Sequence, residues 1–130
     1  EADPSEAGFP VMFSSLYPIC RGVQQLGGLQ LHSALIELNG IGVLLVGAGG
    51  SGKSTCCRRV PLPWRALCDD ETRLRRNTEK QYIAHPFPTG SDYLHRRSSR
   101  TWDVQQHVSL AAIFSLSILN NTLSLSAIAT

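Results

Sequence analysis

The chain has 130 residues, 42% of them apolar, and a formal net charge of +2. That length allows one domain, and that apolar fraction excludes an intrinsically disordered chain. The charge is uneven: residues 58–100 hold nine Arg and one Lys against five acids, whereas the first 57 residues hold two basic and four acidic side chains.

Glu1–Gly8 is polar, and Phe9–Phe13 reads as a short edge strand with Pro10 near its start. Pro18 opens a helix over Ile19–Leu26, and Gly27-Gly28 closes it. Leu29–Leu38 partly alternates, so it reads as a strand. Asn39-Gly40 then stands between two apolar runs. It predicts a type I′ turn, whose two central residues both need φ > 0. Ile41–Val46 is a nearly all-apolar strand, the second arm of an antiparallel hairpin. Ser54–Val60 reads as a short helix that Pro61 stops. Trp64–Cys68 reads as a strand ending in Asp69-Asp70-Glu71. Thr72–Ala84 reads as a polar hairpin turning near Asn77, followed by a loop at Pro86–Gly90 and a short helix over Tyr93–Arg97. Val108–Leu119 is apolar with interspersed serines, too short and polar for a bilayer span of about 20 residues. Asn120-Asn121 separates two Ser/Leu arms, either a hairpin or a low-information tail. The fold class expected is α/β, with a mixed sheet built on the Leu29–Val46 hairpin. Its domain plan is an N-terminal strand and helix segment at 1–28, an incomplete nucleotide-binding domain at 29–119 and a tail at 120–130.

Between the second strand and the helix lies Gly47-Ala48-Gly49-Gly50-Ser51-Gly52-Lys53-Ser54, which reads G-x-x-x-x-G-K-S, the P-loop pattern. Glycines let such a loop curl so that its N–H groups point inward and cradle an anion. The following helix start, Lys53-Ser54-Thr55, adds its dipole. In this pattern Lys53 reaches the β- and γ-phosphates, and the Ser54 hydroxyl ligates Mg²⁺. The reading is therefore a nucleotide-binding protein using ATP and Mg²⁺. Three consecutive carboxylates, Asp69, Asp70 and Glu71, repel one another unless something positive sits beside them. A Mg²⁺–nucleotide complex would be that something; an acidic turn closing a strand is the simpler alternative.

The remaining signals are weaker. The arginine excess suits a polyphosphate, an acidic partner or nucleic acid, or simply a solvated face. No RNA-binding module signature accompanies it, which sets nucleic acid aside. The four cysteines, Cys20, Cys56, Cys57 and Cys68, show no metal-binding spacing. They read as reduced thiols of a cytoplasmic protein. Trp64 and Trp102 read as core residues. His32 on its strand reads as a half-buried histidine bonded to a backbone carbonyl.

Leu31–Asp70 resembles the catalytic domain of HPr kinase/phosphorylase, a relative of the phosphoenolpyruvate carboxykinase nucleotide-binding fold. The likeness rests on His32, Asn39-Gly40, Val43–Val46, Gly47–Ser54 and Asp69-Asp70. Leu31–Leu35, Gly52–Arg59, Pro63–Asp70, His85–Thr89 and Arg100–Val104 look like the SynChlorMet cassette proteins of the ScmC type. The resemblance implies ATP held by Lys53 and the loop amides, with metal held by Ser54 and Asp70. It implies Asp69 as the base toward an acceptor hydroxyl and His32 as the active-site histidine. The implied activity is phosphoryl transfer to a protein or peptide; the alternative is a non-catalytic, nucleotide-dependent accessory protein of a peptide-modification system. Gly49 stands where the HPr kinase loop usually has Ser, and the glycine-rich signature segment after Asp70 has no counterpart. The likeness fades after Phe114 and the chain starts without Met, so we expect a fragment whose uncovered edges could associate into oligomers.

Overall fold

The computed structural model describes residues 17–87, 102–119 and 122–129. The expected strand at Phe9–Phe13 and helix at Tyr93–Arg97 lie outside these residues. Helix α1 spans 17–25, starting slightly earlier than the sequence suggested. Its end is closed by two backbone bonds: Gly27 N–H donates to the Gln24 carbonyl and Gly28 N–H to that of Val23, the paired bonding of a Schellman motif.

Strand β1, Leu29–Leu38, and strand β2, Ile41–Val46, form the expected antiparallel hairpin. Asn39 and Gly40 have φ of 53° and 80°, the left-handed pair that a type I′ turn demands. The buried Glu37 carboxylate fastens this end. It accepts from Gly40 N–H at 2.9 Å and from Arg65 Nε, and these bonds hold its pKa below the usual carboxylate value.

Helix α2, Lys53–Arg59, ends before Pro61, and strand β3 follows at Arg65–Cys68. Strand β4, Glu71–Arg76, and strand β5, Tyr82–Pro86, make the polar hairpin. Both β3 and β4 run antiparallel to β1, β3 along its second half and β4 along its first. They act as one long strand interrupted at Asp69-Asp70, where Ser33 N–H still donates to the Asp70 carbonyl.

The Ser/Leu-rich end is a hairpin of two long strands, β6 at Val108–Leu119 and β7 at Thr122–Ala129. β6 lies parallel to β2 along Ser109–Ser115 and touches β5 at Val108 and Ser109. The ladder thus closes into a ring β1–β4–β5–β6–β2, with β3 and β7 attached outside it in a seven-stranded mixed sheet. Passing from Ser109 through Ile83 and Arg75 leads to the start of β1, while passing through Ile41 leads to its end. The strands are therefore strongly staggered, as closure of a small ring requires.

Closure gives the sheet two apolar faces. Inside the ring, Leu35, Leu44, Leu74, Ala84 and Val108 pack with Cys68 and Trp102. On the other face Ala34 and Leu45 meet Leu116 and Cys57, which comes from α2. Leu44 and Leu45 face opposite ways, as neighbours on a strand must, and both are covered. That explains the continuous apolar run of β2.

Candidate functional site

The Gly47–Ser54 loop leaves the end of β2 and enters α2. Gly47 has no room for a side chain. A Cβ there would lie 2.5 Å from Ser51 Oγ and 2.7 Å from the Leu116 carbonyl oxygen on β6. Gly49 and Gly50 form the exposed tip. Gly52 caps α2 at φ 100°, and the helix closes its first turn with Cys56 N–H donating to the Gly52 carbonyl. Ala48 accepts Ser51 N–H at 3.1 Å.

Lys53 is only 5% exposed. Its ammonium folds back into the loop, donating to the Gly47 carbonyl at 2.7 Å and the Ala48 carbonyl at 3.0 Å. Burial pushes its pKa down, and the negative charges of Asp70 and Glu71 push back. The loop lysine and these two carboxylates therefore share one electrostatic neighbourhood. Ser51 Oγ is buried with no hydrogen-bond partner among the described residues. Ser54 is half-buried in the first turn of α2, and the Thr55 hydroxyl accepts from Arg58.

The carboxylates sit where β3 gives way to β4. Successive residues of a regular strand point to opposite faces. The interruption at Asp69-Asp70 breaks that alternation, and two adjacent carboxylates converge on one histidine. His32 Nδ1 is 3.3 Å from Asp70 Oδ1 and 3.5 Å from Glu71 Oε1. His32 and Glu71 are direct partners across the β1–β4 ladder. The other Glu71 oxygen accepts from Gln30 Nε2 at 3.1 Å. One ligand atom from each of His32, Asp70 and Glu71 falls within 4.8 Å of the others. Carboxylate oxygens suit a hard divalent cation such as Mg²⁺. Asp69 turns the other way. It is 3% exposed and its Oδ1 accepts from Trp102 Nε1 at 3.2 Å.

A profile of the SynChlorMet cassette protein ScmC matches residues 3–127. The chain belongs to the ScmC family. It is also 36% identical over 59 residues to an HPr kinase/phosphorylase of Shouchella clausii (strain KSM-K16), a match covering 45% of this chain. That stretch spans 19% of the relative's length.

In this ScmC-family chain, the structure brings His32 and Asp70 together at the end of the sheet near the Lys53 loop. Asp69, one residue away, is instead buried against Trp102. Glu71 and Trp102 complete the arrangement in ways sequence reasoning did not reach. Glu71 was visible as the third acid of a run, but its position opposite His32 depends on the β1–β4 register. Trp102 read as core and is core, yet it also hydrogen-bonds Asp69. Among the described residues all four cysteines are free thiols, and no helix is long and apolar enough to cross a membrane.

Proposed function

We propose that this chain is an ATP- and Mg²⁺-dependent phosphotransferase of the cytoplasm, acting on a hydroxyl of a protein or peptide. The observation that carries this reading is the meeting of two groups at one end of the sheet. One is the glycine loop with its inward-folded Lys53. The other is the His32–Asp70–Glu71 cluster, whose carboxylates act electrostatically on that lysine. Neither a structural turn nor a solvated acidic patch requires such a pairing. The similarity to an HPr kinase/phosphorylase supports it.

Gly47, Ala48, Gly49, Gly50, Ser51, Gly52, Lys53, Ser54 and Thr55 would hold the triphosphate, with the buried Ser51 hydroxyl and the Lys53 ammonium as its side-chain donors. Ser54 and Asp70 would hold Mg²⁺. A metal held there would supply positive charge against the phosphates. Catalysis then rests on positioning and charge, with little covalent chemistry from the protein. Asp69, with His32, would take the acceptor hydroxyl's proton.

The burial of Asp69 favours a second assignment, in which Asp70, more open and paired with His32, takes that proton. Two variants separate the assignments. If Asp69 is the base, Asp69→Asn keeps most ATP affinity and loses transfer by orders of magnitude, while Asp70→Asn weakens Mg²⁺-dependent binding. If Asp70 is the base, Asp70→Asn loses transfer and Asp69→Asn mainly loses stability. Isothermal titration with ATP and Mg²⁺, with radiolabelled transfer to peptide acceptors, reads both. Tight ATP binding with no transfer to any acceptor would favour a nucleotide-dependent accessory protein.

A further inference from the structure

A concave region lies over Arg73, on the face of β4 that also carries Glu71. Glu71, Arg73 and Arg75 alternate along one face of that strand. Arg73 is directly opposite His85 on β5, and the His85 ring stacks on His107 at 5.4 Å between centroids. Over these groups lies a cavity of about 470 Å³ walled by Ile19 of α1, Phe87 and Val104. That volume is in the range of small-ligand sites. Among the described residues no carboxylate lines it, and the charged and titratable lining is Arg73, His85 and His107.

The hydrogen bonding fixes what the pocket offers. Arg75 Nε donates to His85 Nε2 at 2.9 Å, so the neutral His85 ring carries its proton on Nδ1 and has a donor to spare. Burial, then Arg73, Arg75 and His107, push the His85 pKa down to about 4. The histidine is thus neutral at neutral pH, chiefly because it is partly buried and then because the Arg73 and Arg75 guanidiniums lie beside it. Guanidinium and imidazole donors beside apolar walls suit a carboxylate on a short aliphatic stem.

We propose that this Arg73–His85–His107 pocket recognises an acidic side chain of the acceptor peptide, two residues from the hydroxyl that receives the phosphate. The spacing follows from β4. Arg73 is two residues beyond Glu71 on the same face, roughly 7 Å along the strand. An extended peptide also sets residues i and i+2 on one face at roughly 7 Å. A hydroxyl residue at the His32–Asp70–Glu71 cluster therefore places the side chain two residues away over Arg73. Adjacent residues would point it elsewhere. The inference rests on the phosphotransferase reading for the hydroxyl, while recognition of the acid needs only the pocket.

The test uses the whole chain and fluorescent dodecapeptides with one Ser. One peptide carries Asp two residues from the Ser, a second carries Asn there, and a third carries Asp next to the Ser. Binding is read by anisotropy without nucleotide and transfer by radiolabelled ATP. The first peptide is expected to bind at least about tenfold tighter than the other two, a difference of about 1.4 kcal/mol. Arg73→Gln should erase that preference, Arg73→Lys should keep part of it, and ATP titration of both variants should match the parent. Equal binding of the three peptides, or an undiminished preference in folded Arg73→Gln, overturns the pocket. An Arg73-dependent preference without transfer to any peptide supports the pocket and overturns the phosphotransferase reading. Transfer without preference does the reverse.

Discussion

Lys53 Nζ lies 2.7 Å from the carbonyl oxygen of Gly47, six residues earlier, so the loop's own lysine straps its two ends together. A phosphate entering the loop competes with those carbonyls for the ammonium. Removing the ammonium takes away both the strap and the ligand's cation. We expect Lys53→Ala to lose about 2–3 kcal/mol of ATP binding, close to a hundredfold. Isothermal titration with ATP and Mg²⁺ checks this; parent-like affinity would exclude the loop as the phosphate site.

The loop glycines are not equivalent. Gly47→Ala forces a Cβ against a backbone carbonyl of β6 that cannot swing aside. We expect a loss of about 1–3 kcal/mol and weaker nucleotide binding together. Gly49 has open space around it and no positive φ. Gly49→Ser, which installs the residue usual in HPr kinase loops, should leave the melting temperature within a degree or two of the parent. Thermal melts of both variants decide this, and equal melts would mean the Gly47 contact is not a constraint.

Trp102 offers a way to move Asp69 without touching it. Trp102→Phe keeps an aromatic ring in the core but removes the indole donor to Asp69. Losing a hydrogen bond to a charged group should cost about 1.5–3 kcal/mol of stability. If Asp69 is the base, transfer falls while ATP affinity stays. Unchanged transfer in the folded variant would count against Asp69.

Acid should destabilise the fold for two separable reasons. The folded His85 pKa of about 4 lies below its ordinary 6.5. The unfolded chain therefore takes up that proton first, and stability falls as pH drops from 6.5 to 4, then levels off. Glu37 is a depressed carboxylate. Its stabilisation is present above its ordinary 4.5 and is lost as pH falls through its lower folded value. Urea midpoints from pH 7 to pH 3 should fall in two stages. His85→Gln should flatten the first, and Glu37→Gln the second.

The thiols should divide by depth. Cys57 and Cys68 are buried, and burial pushes the Cys68 pKa up to about 12 and that of Cys57 higher still. Cys20 and Cys56 are partly exposed. Iodoacetamide at pH 8 should label the latter pair in the native protein and all four in urea, read by peptide mass spectrometry. Native labelling of Cys68 would contradict the packing.

Local chemistry was legible in the sequence, and non-local pairing was not. The Asn39-Gly40 turn, both arms of its hairpin and the end of β3 at Cys68 each follow from a few neighbouring residues. Ring closure does not. Nothing in Val108–Leu119 says that half of it will lie parallel to β2, because Ser/Leu alternation suits any partner. The site divides in the same way. Lys53 and the glycines announce themselves by spacing. By contrast, Glu71 joins His32 only through the register between β1 and β4, and Asp69 finds Trp102 thirty-three residues away.

The contact between Gly47 and the Leu116 carbonyl also sets an order of events during synthesis. A chain emerging from the ribosome can form the β1–β2 hairpin early, since its turn and both arms are contiguous. The glycine loop at the end of that hairpin cannot settle then, because the strand it rests on has not yet been translated. Its final shape waits for β6 to leave the exit tunnel and slot in beside β2. A nascent chain stalled before Leu116 would carry every residue of the loop and still lack its floor.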